Sequence, residues 1–156
     1  MRSIASSNLR DILPDLGDVP IAGITADSRK VEPGWLFVAV PGTKADGMSF
    51  VPDAIRRGAA AVIGEGPSPA GLAVPYARVP DAREALARAA AAFYPGQPET
   101  IVAVTGTSGK SSVADFVRQL FAASGRRSAS LGTLGVITSD GAAYGSLTTP
   151  DPVTLH

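Results

Sequence analysis

The stretch Ile101-Val102-Ala103-Val104-Thr105-Gly106-Thr107-Ser108-Gly109-Lys110-Ser111-Ser112 decides how this chain is read, because an apolar, β-branched run passes directly into a glycine turn ending in Gly-Lys-Ser. That order is what a nucleotide phosphate site requires. Glycines let the backbone curl until successive N–H groups point into one concavity. The lysine ammonium can then reach β and γ phosphates, and a following hydroxyl can ligate magnesium. Val113, Phe116, Val117, Leu120 and Phe121 follow at helical spacing, so a helix N-terminus completes the positive field, and Gly125 supplies the stop. The general phosphate-loop pattern wants a glycine where Val104 stands, and Gly106 takes over the turn. An ordinary strand-to-helix turn with a surface lysine is the competing reading; strand, loop and helix together favour phosphate.

Upstream, the pattern alternates short apolar strands with helices. It predicts a helix over 9–16, strands over 24–29 and 35–40, a helix over 50–57, and strands over 59–64 and 74–79. An alanine-rich helix then runs from an Asp81 N-cap to Phe93, with Glu84 three residues on in a capping-box-like pattern. Tyr94-Pro95-Gly96-Gln97-Pro98 breaks that helix and marks a domain boundary. The fold expected is α/β: a small N-terminal α/β domain over 1–97, then the beginning of a parallel-sheet phosphate-loop domain over 98–156. A second strand over 128–133 would open a parallel βαβ series. A parallel nucleotide-binding sheet needs several covered strands, so this second domain reads as incomplete.

Composition narrows the function classes. In 156 residues, 45% are hydrophobic and 18% charged, as in a globular protein able to build a sizeable core. Fourteen basic side chains balance fourteen acidic ones, so no net field favours nucleic acid or an anionic membrane. The absence of cysteine removes disulfides and thiolate metal sites and fits a reducing cytoplasm. Neither a signal-peptide core nor an uninterrupted apolar span is visible, since Arg83, Glu84 and Arg88 punctuate the alanine-rich stretch. A cytoplasmic protein without membrane insertion is expected.

Three segments together resemble the Mur ligases of peptidoglycan synthesis. They are Thr25-Ala26-Asp27-Ser28-Arg29 with Gly34-Trp35-Leu36-Phe37-Val38-Ala39, then Pro41-Gly42-Thr43-Lys44-Ala45-Asp46-Gly47, then the glycine loop. Gly132-Thr133-Leu134-Gly135 and Leu147-Thr148-Thr149-Pro150-Asp151 extend the match toward the members that add the third amino acid of the peptide. The resemblance implies that Ala26, Ser28, Thr43, Lys44 and Ala45 line a uridine diphosphate pocket. It implies that Thr148 and Thr149 meet the muramoyl-dipeptide portion of a UDP-N-acetylmuramoyl-dipeptide substrate. Gly106, Thr107, Ser108, Gly109, Lys110, Ser111 and Ser112 would hold ATP, Ser111 would ligate Mg2+, and Lys110 would be catalytic. The loop reads Thr-Ser-Gly-Lys-Ser-Ser where the family usually has Thr-Asn-Gly-Lys-Thr-Thr, a change that keeps a polar side chain and both hydroxyls. The resemblance also implies that the remaining ligase residues lie past His156, so that this chain alone would not turn over.

Other readings of these residues stay open. Ser28 and Arg29 could be turn residues, and Asp46-Gly47 is a turn signal whether or not it also touches uridine. Thr148-Thr149-Pro150 could be an extended lead into a helix capped by Asp151, with Pro152 at its first position. Trp35 reads as core, Arg126 and Arg127 as a solvated pair, and His156 has nothing beside it to orient the ring. The two rival functions are a noncatalytic UDP-sugar-binding module and a fragment of an unrelated phosphate-loop NTPase.

Overall fold

The structure is a computed structural model that describes residues 16–42, 46–94, 96, 98–143 and 151–155. The chain divides into two compact units, with the boundary between residues 95 and 96 and the segment from Pro152 belonging to the first.

The first unit is built on four parallel strands. These are β1 (Gly23–Thr25), β2 (Trp35–Ala39), β3 (Ala61–Gly64) and β4 (Tyr76–Arg78), hydrogen-bonded in the order β1-β2-β3-β4. Leu36 pairs with Ala61 and Ala39 with Gly64, while Gly64 pairs in turn with Arg78, which fixes the register across the sheet. Successive side chains of a strand point to opposite faces, and in a parallel sheet both faces must be covered. Accordingly Leu36, Val38, Ala61 and Ile63 face one core, while Phe37, Ala39 and Val62 face another.

Helix α2 (Ala82–Phe93) covers the first face with Ala82, Ala85, Leu86, Ala89 and Phe93, a stripe at three- and four-residue spacing that leaves Arg83, Glu84 and Arg88 exposed. The alanines let the helix lie close to the sheet. Asp81 caps it, its Oδ1 accepting from the N–H groups of Arg83 (2.8 Å) and Glu84 (2.9 Å). Glu84 itself pairs with Arg88 one turn on, at 2.6 Å. A short helix α1 (Val51–Arg56), entered through a 3-10 turn at Gly47–Phe50, covers the second face with Val51 and Ala54. Gly47 is required there: a Cβ at this position would sit 2.5 Å from the Val40 carbonyl oxygen.

Two expectations for this unit change. The strand expected over 24–29 ends at Thr25, because side chains there offer the backbone another set of partners. Thr25 Oγ1 accepts from the Asp27 N–H (3.0 Å), Asp27 Oδ1 from the Arg29 N–H (3.0 Å), and the chain closes into a 3-10 turn at Ser28–Lys30. Trp35 is half-buried at the margin of the second core rather than inside it. The helix expected over 9–16 lies, save its last residue, outside the described residues.

The second unit holds α3 (Lys110–Ala123), ended by Gly125 at φ +77°, and three strands: β5 (Ser130–Gly132), β6 (Gly135–Thr138) and β7 (Gly141–Ala143). These strands pair antiparallel, as two consecutive hairpins. This corrects the parallel βαβ expectation for this unit. Residues 101–105 form no strand, and Ile101 and Val102 are 74% and 52% exposed. A parallel strand is held by neighbours, and no described segment pairs with this one. The last helix, α4 (Pro152–Leu155), starts at Pro152 as the sequence suggests and belongs to the first unit.

Candidate functional site

In the second unit the loop over 106–112 has the backbone that a phosphate cradle needs. Gly106 has φ +148° and Gly109, the N-cap of α3, has φ +77°, both conformations that side chains disfavour. No side chain caps α3, so the first-turn N–H groups after Gly109 face outward, and the helix dipole adds positive potential at the same place. The loop is exposed from Gly106 to Lys110, with Ser111 half-buried and Ser112 exposed. Lys110 folds over the turn: its Nζ donates to the Gly106 carbonyl and, at 3.4 Å, to that of Thr107. The ammonium is thereby held at the mouth of the loop.

One turn further along α3, Asp115 accepts from Arg118 Nε (2.8 Å) and Gln119 Nε2 (2.7 Å). The Arg118 bond first, then the Gln119 bond, hold its carboxyl below the ordinary carboxylate value. Its charge is therefore neutralised locally. The described residues contain no cluster of three or more His, Asp or Glu able to cage a metal ion by themselves. A magnesium ion here would be held by nucleotide phosphates and one hydroxyl, which is the way that ion is commonly bound.

In the first unit the carboxyl ends of the four strands lie along one rim, the usual ligand side of an open parallel sheet. Ala26 and Ser28 follow β1 there. Ala26 is exposed, whereas Ser28 is only 6% exposed. Asp27 is paired with Arg29, Nε to Oδ1 at 2.9 Å and Nη2 to Oδ2 at 2.8 Å, and the Arg29 side-chain bond is the main reason its carboxyl lies below the usual range. After β2, Asp46 Oδ1 accepts from the Met48 N–H (3.0 Å) and its carbonyl from Ser49 Oγ (2.6 Å).

Thr43, Lys44, Ala45, Thr148 and Thr149, named from the resemblance, lie outside the described residues. The structure also draws in residues that the sequence reading passed over. Arg83 Nη2 donates to the Pro41 carbonyl, Glu65 Oε1 accepts from the Ala82 N–H (2.9 Å), and Arg78 Nε donates to the Glu65 carbonyl (3.0 Å). Tyr76 OH donates to the Gly66 carbonyl at 2.6 Å, while burial raises its pKa. On α1, Asp53 pairs with Arg56 and Arg57, a group whose i, i+3 and i+4 spacing of an acid and two bases is visible in the sequence.

A parallel sheet with this rim and a glycine loop opening α3 stand in a chain that belongs to the Mur ligase family. The model of the "Mur ligase family, catalytic domain" matches residues 20–94. Among individual proteins the chain is similar to the UDP-N-acetylmuramoyl-L-alanyl-D-glutamate--2,6-diaminopimelate ligase of Rhizobium meliloti (strain 1021), at 53% identity over 98% of this chain and 32% of that protein. The ligase of the same name from Caulobacter vibrioides is 56% identical over 81% of this chain and 26% of its own length. The chain thus spans about a third of the length of the curated relatives it matches. A solved structure of a ligase of that name superposes with a TM-score of 0.67 at 32% identity, over 87% of this chain and 28% of that one. The MurF ligase from Thermotoga maritima in complex with ADP gives 0.51 at 31% identity, over 64% of this chain and 23% of that one.

Proposed function

We propose that this chain is part of an ATP-dependent ligase that joins 2,6-diaminopimelate to UDP-N-acetylmuramoyl-L-alanyl-D-glutamate. The observation that carries the reading is the 53% identity to a ligase of that name across 98% of the chain, a span that includes both the sheet rim and the glycine loop. In this reading residues 1–97 hold the uridine diphosphate end of the substrate, and residues 98–156 begin the ATP-binding domain. The division of the chain at 95/96 supports that boundary.

Ala26, Ser28, Thr43, Lys44 and Ala45 recognise the uridine nucleotide, using hydroxyls and backbone amides that need no net charge. Thr148 and Thr149 meet the muramoyl-dipeptide. Gly106 to Ser112 cradle the ATP phosphates on the orphan N–H groups of α3. In the reaction a substrate carboxylate oxygen attacks the γ-phosphorus, ADP leaves, and the resulting acyl phosphate is attacked by the incoming amine with release of phosphate. Lys110 offsets the charge spread over the transferring phosphoryl oxygens, a stabilisation that grows toward the transition state. Bound at the Ser111 hydroxyl, Mg2+ would supply further neutralisation of phosphate charge. The sheet rim, by holding the remote end of the substrate, contributes positioning.

The test is calorimetric titration of the chain with UDP-N-acetylmuramoyl-L-alanyl-D-glutamate, then with magnesium ATP. Saturable binding of the UDP-sugar peptide is expected. ATP binding without any response to the UDP-sugar peptide would point to an unrelated phosphate-loop protein and remove the reading.

A further inference from the structure

Met48 is half-buried, yet its surroundings are more closely shaped than a residue at the margin of a core requires. A Cβ added at Gly64, the last residue of β3, would overlap the Met48 Sδ and come within 2.8 Å of the Tyr76 hydroxyl. At Gly66, two residues on, a Cβ would stand 3.7 Å from Met48 Cγ and 3.8 Å from its Cε. Tyr76, on β4, donates its hydroxyl hydrogen to the Gly66 carbonyl at 2.6 Å, and the same hydroxyl lies 3.7 Å from Met48 Sδ. The methionine thus occupies a seat at the carboxyl ends of β3 and β4, bordered by the two glycines and the tyrosine.

The short segment that carries Met48 is tied down at its other residues too. Gly47 lies against the exit of β2, where a Cβ would stand 2.5 Å from the Val40 carbonyl oxygen. Asp46 Oδ1 accepts from the Met48 N–H at 3.0 Å, and the Asp46 carbonyl accepts from Ser49 Oγ at 2.6 Å. Residues 46–49 are therefore pinned to the exits of three of the four strands. A methionine present only to cover the second core would not need the close approach that Gly64 permits, because its unbranched, flexible side chain can cover apolar surface in other rotamers. Asp46 follows directly on 43–45, the stretch assigned to uridine contact. The seat of Met48 sets the place at which the chain returns from that stretch to the sheet.

We propose that Met48, seated on Gly64 beside Tyr76, is a positioning residue for the nucleoside diphosphate end of the substrate. The inference rests on the assignment of the sheet rim to that portion. Met48 touches no ligand; by holding 46–49 against the strand ends it leaves less conformational freedom to be lost when the ligand binds.

The experiment is calorimetric titration of the chain and its variants with UDP-N-acetylmuramoyl-L-alanyl-D-glutamate, with a thermal melt of each to confirm folding. Met48→Ala is expected to weaken binding about tenfold. Met48→Leu, close in volume and long enough to fill the seat, is expected to recover most of the loss. Gly64→Ala, which takes the seat and keeps the methionine, is expected to weaken binding about as much as Met48→Ala. Phe93→Leu, at the end of α2 away from the rim, is the control for general destabilisation and is expected to lower the melting temperature without changing affinity. If folded Met48→Ala or Gly64→Ala binds like the parent, or if Phe93→Leu weakens binding by the same factor, the positioning role is overturned and the rim assignment stands. Absence of binding by the folded parent chain overturns the rim assignment, and the positioning role with it. Should Met48→Ala fail to fold, Met48→Val, which lacks the Sδ and Cε that lie beside the glycines, replaces it, and parent-like affinity in that variant is equally decisive against the proposal.

Discussion

Arg83, in the first turn of α2, donates from Nη2 to the carbonyl of Pro41, so a residue that follows the fourth strand clamps the segment that leaves the second. The bond spans 42 positions of sequence and lands just before the stretch assigned to uridine contact. Replacing Arg83 with Ala is therefore expected to cost about 1 kcal/mol of stability and to weaken UDP-sugar peptide binding further than that loss alone explains. Urea denaturation and titration calorimetry on the same variant separate the two effects, and Arg83→Lys should restore stability more fully than binding.

The Asp81 cap satisfies two orphan N–H groups of α2. Asp81→Ala is expected to destabilise the first unit by about 1 kcal/mol, and Asp81→Ser to recover most of it. A shift of the urea midpoint at constant slope is the measurement.

Phe93 is 1% exposed and meets the Tyr94 ring edge-on at a centroid distance of 4.8 Å. Truncation to Ala should cost about 3–5 kcal/mol, enough to unfold a marginal domain, whereas Phe93→Leu should be tolerated with a smaller loss. Circular dichroism melts would show it.

Lys110 is exposed, so its removal should leave folding within about 0.5 kcal/mol of the parent. Lys110→Met is nevertheless expected to weaken magnesium ATP binding at least about tenfold, since the loop loses its only cation for the phosphates. Unchanged ATP affinity in that variant would count against the phosphate-loop assignment.

Asp27, Asp53 and Asp115 all have carboxyl groups held below the ordinary value of 3.8. For Asp27 the Arg29 side-chain bond dominates. For Asp53 burial works upward but is outweighed by its polar and cationic neighbours, Arg57 and Arg56 among them, and for Asp115 the Arg118 bond leads. A depressed folded-state pKa means stability that is present above 3.8 and lost as pH falls below it toward the folded-state values. Thermal melts from neutral pH downward should thus be flat until this region and fall beneath it. Added salt should flatten the drop most for the Asp27–Arg29 pair, whose arginine is exposed, and least for the half-buried Asp115–Arg118 pair.

Much of the first unit was readable because its signals are local and cooperative. Asp81, the alanine stripe and Phe93 mark α2 at both ends, and the apolar run ending at Ala39 is a buried strand with neighbours on both sides. Residues 101–105 have the same apolar character yet form no strand, since pattern reports what a segment can pair with, not whether a partner is there. The β6–β7 hairpin turns at Ser139-Asp140, with Thr138 paired to Gly141, a pairing the sequence reading did not anticipate. The Arg83–Pro41 and Arg57–Arg29 contacts join distant segments, and no single-sequence period encodes them. Gly106 and Gly109, by contrast, take the positive φ that a glycine turn at this place would use.

The strand order of the first unit runs in step with the chain, and this makes the rim modular. Each loop at the carboxyl ends belongs to one consecutive pair of strands or to a strand and its following helix. The rim can therefore be re-cut one loop at a time, while the sheet beneath keeps its pairing. A lengthened segment between Gly64 and Tyr76, for instance, would alter what meets a ligand beside β3 and leave the β1 end as it was. A scaffold of this kind can change what it recognises by small local edits, without refolding.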